Sequence, residues 1–128
     1  MKIVFLESLG LSVERIEDEC KTLEALGHEV VIYADRCPEK NAERAADADI
    51  VVESNMPLHK DFFDACPNLK MLSIAFTGFD HIDLNECERR GIIVKNAAGY
   101  STEAVAEEAI CMMIGLYRHV IDNDRITR

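Results

Sequence analysis

The chain has 128 residues and a formal net charge of −10, with 48% hydrophobic and 30% charged residues. This length allows one domain with a sizeable core, and the apolar content is too high for a disordered chain. The acidic balance argues against nucleic acid as a partner, because affinity for phosphates needs a basic face. No run approaches the ~18 apolar residues of a membrane span, so we expect no membrane partner.

The cysteine content indicates a reducing compartment. The chain has five cysteines, which is an odd number, and no pair has C-x-x-C spacing. We therefore expect free thiols and a cytoplasmic protein. The histidines form no ligand-spaced cluster with the cysteines, so no metal site is expected.

Strand-like and helix-like patterns alternate along the chain. The strand-like runs lie at residues 2–6, 29–34, 49–53, 69–76 and 92–94. Helical patterns begin after Ser12, cover residues 58–66, begin again at Asp83 and finally cover residues 102–121, while residues 41–48 are weakly helical. This alternation predicts right-handed crossovers and a parallel sheet. The expected fold is a flavodoxin-like, doubly wound α/β domain with strand order 2-1-3-4-5, followed by one long apolar helix.

Candidate binding residues follow the third, fourth and fifth strands. Asn55 follows the third strand and Thr77-Gly78 follow the fourth, where ligands of such sheets bind. A glycine there lets a ligand approach the main-chain N–H groups closely. Both positions also have a purely structural interpretation, since Asn and Gly are common in turns. Tyr100 follows the fifth strand and could either close a pocket or pack on a neighbouring strand.

The residues offer no catalytic group of their own. His81 at a helix entry and Lys95 at a strand end are isolated, and we expect both to face solvent. Asp83 and Glu86 have the spacing of a capping box, and Gly91 is the expected end of that helix.

The last predicted helix, at residues 102–121, is apolar around nearly its whole circumference. Such a helix should be buried on every side, and a domain of this size can cover only one. We expect a partner subunit or a missing second domain to cover the rest. The alternative is that the helix simply packs across one edge of the sheet.

Three motifs follow one another between residues 77 and 109: a G-x-D-x-x-D-L turn, a G-I-x-V-x-N strand and an S/T-x-x-V-A-E helix start. They consist of Gly78, Asp80, Asp83 and Leu84; Gly91, Ile92, Val94 and Asn96; and Ser101 or Thr102, Val105, Ala106 and Glu107. Together they resemble the D-isomer-specific 2-hydroxyacid dehydrogenase family. The G-Y-S-T stretch at residues 99–102 is most similar to its glycerate/hydroxypyruvate reductase and D-lactate dehydrogenase branches.

The resemblance implies a substrate domain at residues 1–99 and, at residues 100–128, a helix leading toward a nucleotide-binding Rossmann domain. It implies that main-chain N–H groups at Thr77 and Gly78 hold the substrate carboxylate. Asn55 and Tyr100 match pocket positions, and Thr102 lies where the family approaches the cofactor, NAD or NADP. In the complete enzyme hydride passes between NADH and a 2-oxo acid, giving a D-2-hydroxy acid. The helix at residues 102–121 would take part in a homodimer.

The chain departs from the family in lacking the parts that do the chemistry. The family's catalytic Arg, Glu and His follow a glycine-rich fingerprint, and this sequence stops at Arg128 without one. We therefore expect the missing nucleotide-binding domain to be a partner, and no activity or tight cofactor binding by this chain alone.

Two other classes of function stay open. One is a non-catalytic, oligomeric binding or scaffold module. The other is a receiver-like signalling domain, for which Thr77 and Lys95 fit but the required aspartates are absent.

Overall fold

The computed structural model describes residues 1–128. The chain divides into two compact units, Met1–Ala97 and Ala98–Arg128. The elements of the first unit are β1 (Lys2–Phe5), α1 (Val13–Ala25), β2 (Glu29–Ile32), a 3-10 turn (Pro38–Lys40), α2 (Asn41–Arg44), β3 (Ile50–Glu53), α3 (Lys60–Ala65), β4 (Met71–Ile74), α4 (Leu84–Arg90) and β5 (Ile93–Asn96). Those of the second unit are α5 (Thr102–Tyr117) and α6 (Val120–Thr127).

The five strands of the first unit form one parallel sheet in the order β2-β1-β3-β4-β5. This confirms the fold class and the strand order predicted from the sequence. Val4, Val51, Leu72 and Val94 pair across the sheet and point to the same face. The strands are apolar on both faces because helices pack on both sides of a doubly wound sheet.

Two hydrophobic clusters cover the two faces of the sheet. On one face, Ile16 and Cys20 of α1 pack with Ile3 and Phe5 of β1. The larger cluster on the opposite face joins the strands to α2, α3 and α4, and the fully buried Phe63 belongs to it. Because the larger cluster includes residues from all three helices, it fixes where the loops after β3 and β4 emerge.

The helix α4 has the ends that the sequence predicts. The Asp83 side chain caps it by accepting a hydrogen bond from the main-chain N–H of Glu86 at 3.1 Å. Gly91 ends it with a φ of 70°, in the left-handed region that favours glycine. The reciprocal half of a capping box is absent, because the Glu86 carboxylate accepts from Arg89 and Arg90 instead.

The second unit differs from the single long helix expected at residues 102–121. The helix ends at Tyr117, and a second one starts at Val120. His119 separates them with a φ of 53°, a left-handed conformation that a regular helix does not contain. No side chain of α5 or α6 is buried.

All five cysteines have free thiols, of which Cys20, Cys66 and Cys87 are buried. Burial raises the pKa of both Cys66 and Cys87 to about 11. None of the helices combines the length and the apolarity that crossing a bilayer requires.

Candidate functional site

The candidate site of the first unit lies at the carboxyl edge of the sheet, where β3 and β4 are neighbours. Asn55 is two residues beyond the end of β3, and Thr77-Gly78 are three and four residues beyond the end of β4. The main-chain N–H of Ala75 donates to the carbonyl of Glu53 at 2.7 Å, which extends the pairing past the strands. Both predicted loops therefore leave the sheet at the same edge.

A buried acid holds the loop that carries Asn55. Glu7, two residues beyond the end of β1, accepts hydrogen bonds from the main-chain N–H of Ser54 at 3.0 Å and from its hydroxyl at 2.7 Å. Arg36 donates to the carbonyl oxygen of Asn55 at 3.2 Å. Because these contacts hold the main chain, the exposed side chain of Asn55 is presented at a defined place on the edge.

The loop that carries Thr77 and Gly78 is supported by the end of β5. The Asn96 side chain donates to the carbonyl of Thr77 at 2.6 Å, and the N–H of Ala97 donates to the carbonyl of Phe76 at 3.0 Å. Phe76 and Phe79 flank the turn, and both are exposed. The turn therefore combines accessible main chain with two apolar rings.

Gly78 is a glycine that the fold itself does not need. Its φ is outside the left-handed region, unlike those of Gly91 and Gly99. A Cβ at this position would meet its nearest atoms at 3.8 Å, on Asp80, and at 3.9 Å, on Phe76, which are ordinary contacts. Neither backbone conformation nor packing requires glycine here, whereas close approach of a ligand to the main chain would.

Glu53, the last residue of β3, is a member of this edge that the sequence interpretation missed. Its side chain is fully buried. One carboxylate oxygen accepts from the N–H of Met56 at 2.8 Å, and the other lies 2.8 Å from Nε2 of His81. Burial raises the pKa of the Glu53 carboxyl, and the hydrogen bonds from His81 and Met56 act in the opposite direction. The available signal was an acid ending an otherwise apolar buried strand, since such an acid needs a partner.

The expectation that His81 faces solvent is wrong. Only 15% of its side chain is exposed, and its Nε2 atom forms the hydrogen bond to Glu53. A carboxylate can only accept a hydrogen bond, so with Glu53 ionised the Nε2 atom carries the proton. Lys95 is exposed, as expected.

The remaining two predicted site residues belong to the second unit. Tyr100 has an exposed side chain, and Thr102 is the first residue of α5. Their membership of one pocket with Asn55, Thr77 and Gly78 stays a prediction.

Each unit has at least one groove. A groove of about 610 Å³ lies between α5 and α6, and Met112, Leu116, Val120 and Ile121 line much of it. A smaller one of about 220 Å³ is lined by Phe79, Leu84, Val94 and Asn96 and so lies beside the Thr77 loop. No group of three or more His, Cys, Asp or Glu side chains is placed to hold a metal ion.

Comparison with known protein families shows to which family the chain belongs. The profile of the D-isomer specific 2-hydroxyacid dehydrogenase, catalytic domain, matches residues 4–111. The chain belongs to the D-isomer specific 2-hydroxyacid dehydrogenase family. The match begins within β1 and covers the other four strands and most of α5, so it extends well beyond the three motifs that carried the resemblance.

Individual members of the dehydrogenase family show the same relationship. The chain is 33% identical over 130 aligned residues to a hydroxypyruvate reductase of Blautia hydrogenotrophica, covering 98% of this chain and 39% of that protein. It is 41% identical over 68 residues to a glyoxylate reductase of Thermofilum pendens, covering 53% of this chain and 20% of that protein.

Solved structures of related dehydrogenases have the same fold over this region. The NAD-dependent formate dehydrogenase of Staphylococcus aureus, solved with NAD, superposes with a TM-score of 0.81 at 28% identity, covering 98% of this chain and 41% of that one. The 3-phosphoglycerate dehydrogenase of Entamoeba histolytica, solved with NAD⁺, gives 0.74 at 32% identity, covering 90% and 38%. The chain thus spans at most about two fifths of the length of these relatives.

Proposed function

We propose that this chain is the substrate-binding part of an NAD- or NADP-dependent D-2-hydroxyacid dehydrogenase. Its ligand is a small 2-oxo acid, or the 2-hydroxy acid formed from it. The main-chain N–H groups at Thr77 and Gly78 hold the ligand's carboxylate. Asn55 hydrogen-bonds a polar atom of the ligand, Tyr100 closes the pocket, and Thr102 approaches the nicotinamide end of the cofactor.

The observation that carries the proposal is the glycine at position 78. A turn with ordinary backbone conformation and space for a methyl group has no internal reason to exclude a side chain. Main-chain N–H groups can approach a carboxylate most closely where no Cβ stands in the way. The position at the carboxyl edge of a parallel sheet, where ligands of such folds bind, supports the same assignment.

The charges around the edge are compatible with an anionic ligand. The guanidinium of Arg36 contacts the main chain of Asn55 and adds positive charge beside it. The two buried acids beneath the edge are both engaged, Glu7 by Ser54 and Glu53 by His81 and Met56. Hydrogen-bonding to these donors lessens the repulsion that the acids would exert on a carboxylate.

The chain's own residues do not fit a bound dinucleotide. Its glycines form no G-x-G-x-x-G between a strand and a helix, which is the arrangement that accommodates a pyrophosphate. In the complete enzyme NAD or NADP exchanges hydride with the substrate, and both the cofactor site and the catalytic acid lie in a separate nucleotide-binding part. The 128-residue chain alone is expected to bind the acid without reducing it.

The test compares the affinity for pyruvate of the native chain, of Gly78→Ala and of Gly115→Ala, by ligand-observed NMR. The native chain should bind pyruvate but not its methyl ester, which lacks the carboxylate. Gly78→Ala should weaken binding about tenfold, corresponding to ~1.4 kcal/mol, since the added methyl blocks the approach.

Gly115→Ala is the matched control, because it adds the same methyl in open space on α5 and without a left-handed φ. Equal affinity of all three chains, or equal binding of the methyl ester, would contradict carboxylate recognition at Gly78.

A further inference from the structure

Glu53 contacts three separate parts of the carboxyl edge. Its carbonyl oxygen accepts from Ala75 at 2.7 Å. One side-chain oxygen accepts from Met56 at 2.8 Å, and the other is 2.8 Å from Nε2 of His81. The residue is fully buried, so these contacts are shielded from water.

The three contacts place Glu53 at both ends of the loop that carries the candidate site. Ala75 and His81 bracket residues 76–80, which include Thr77 and Gly78. Met56 directly follows Asn55 and holds the second loop to the same carboxylate. Fixing both ends of a loop removes most of its conformational freedom before a ligand arrives, which lowers the entropic cost of binding.

Two backbone hydrogen bonds near Glu53 and His81 also connect the loop after β4 to the loop after β3. The N–H of Leu58 donates to the carbonyl of His81 at 3.1 Å, and the N–H of Asp83 donates to the carbonyl of Leu58 at 3.2 Å. These bonds hold the main chain at the far end of the loop, at His81 and Asp83. The side-chain contact of Glu53 with His81 adds a second attachment at that same end.

An ionised Glu53 needs the hydrogen bond to His81 because its side chain is fully buried. A carboxylate that loses its partner in a buried site carries a large desolvation penalty, and the surrounding chain rearranges to relieve it. Glu7 is a second buried acid at this edge. A Glu53 carboxylate without its partner would therefore either rearrange the loop or take up a proton, and if it stayed ionised it would oppose an anionic ligand.

We propose that Glu53 and His81 are positioning residues, which together clamp the loop at residues 76–80 in the conformation that receives the substrate carboxylate. Neither touches the ligand. The part of this proposal that concerns ligand affinity rests on the proposed function, whereas the part that concerns loop conformation does not.

The experiment uses the ¹⁵N-labelled, ligand-free chain and records the amide resonances of Thr77 and Gly78 in four variants. His81→Phe removes the contact with Glu53, and His81→Gln keeps a side-chain N–H that can donate to the carboxylate. Glu53→Gln combined with His81→Phe removes the contact without leaving a buried charge, in case the single variant does not fold. Glu86→Gln is the matched control, a buried acid away from this edge that contacts Arg89 and Arg90 and not the loop at residues 76–80.

We expect His81→Phe, or the double variant in its place, to shift the Thr77 and Gly78 amides and to weaken pyruvate binding about tenfold. His81→Gln should restore both resonances and bring the affinity to within about twofold of the native chain. Glu86→Gln should leave the two amides in place. If His81→Phe acted only by lowering the stability of the whole chain, His81→Gln would not restore the Thr77 and Gly78 resonances.

Unshifted Thr77 and Gly78 amides in a folded double variant would overturn the proposal, as would His81→Gln behaving like His81→Phe. The outcome is separable from the proposed function, because the amide positions are recorded without ligand. A native chain that fails to bind pyruvate refutes the function and leaves the clamp to be judged on the amides alone.

Discussion

Glu86 lies almost fully buried in the first turn of α4, where two arginines hold its carboxylate. Hydrogen bonds from Arg89 and Arg90, at 2.6 to 3.0 Å, lower the pKa of this carboxyl to about 2. Arg90 also donates to the carbonyl of Phe63 at 2.6 Å and pairs with Asp64, so the cluster joins α4 to α3. Protonating one carboxyl should therefore weaken a contact between two helices.

The pH dependence of this contribution follows from the direction of the shift. A carboxyl whose pKa is lower in the folded chain stabilises the fold above its unfolded pKa of ~4.3 and loses that effect as the pH falls toward the folded value. The free energy of unfolding of the native chain should thus exceed that of Glu86→Gln at pH 6, and the difference should shrink between pH ~4.3 and about 2. Urea denaturation at a series of pH values measures it.

Glu88→Gln is the control for that series, since it removes a charge from an exposed position on the same helix without touching the two arginine contacts of Glu86. A difference between the native chain and Glu86→Gln that stays constant down to pH 2 would show that Glu86 does not carry the effect.

Whether the sequence predicts a contact between two side chains depends on how many residues separate them along the chain. The cap of α4 was predictable because Asp83 and Glu86 are three residues apart, and local spacing alone determines that contact. The hydrogen bond between Glu53 and His81 joins residues 28 positions apart. It forms only because β3 and β4 are neighbours, so no local pattern around His81 indicates it.

At the scale of elements, the sheet was predictable and the end of the chain was not. Short β-branched runs alternating with helices determine a parallel sheet by simple chain connectivity, and its order was confirmed. The break at His119 has no such signal, because the sequence there carries neither Gly nor Pro. Apolar residues continue on both sides of the break, so they could not indicate where α5 ends.

The helices α5 and α6 expose an apolar surface that we propose to be the homodimer interface. Met113, Leu116 and Tyr117 have 62%, 75% and 84% of their area exposed. Exposed patches of this kind mark contact surfaces in stable proteins, because burying them is favourable. The native chain should therefore be a dimer at micromolar concentration in sedimentation velocity.

Leu116→Glu should weaken that dimer by about tenfold or more, since it would bury a charge in the contact. The matched control is Leu26→Glu, the same replacement at an equally exposed leucine of the first unit, which should leave the dimer intact. A native chain that sediments as a monomer, or a dimer that both variants disrupt alike, would place the interface elsewhere.

At the scale of the whole molecule, the chain has the family's substrate-domain fold and spans at most about two fifths of the length of its relatives. Its resemblance to the family was readable from contiguous motifs between residues 77 and 109. The proposed roles of Asn55, Thr77, Gly78, Tyr100 and Thr102 remain predictions, because each role is defined by contact with a bound ligand. Binding without turnover is the behaviour that distinguishes our account from a complete enzyme.

One NMR titration tests that account directly. The ¹⁵N-labelled chain is titrated with pyruvate in the presence of NADH, so that amide shifts locate the ligand and the lactate methyl signal reports reduction. We predict that the largest shifts occur at Thr77, Gly78 and Asn55, and that no lactate forms. Shifts confined to other residues would contradict the proposed site, and steady formation of lactate would contradict the claim that the catalytic part is separate.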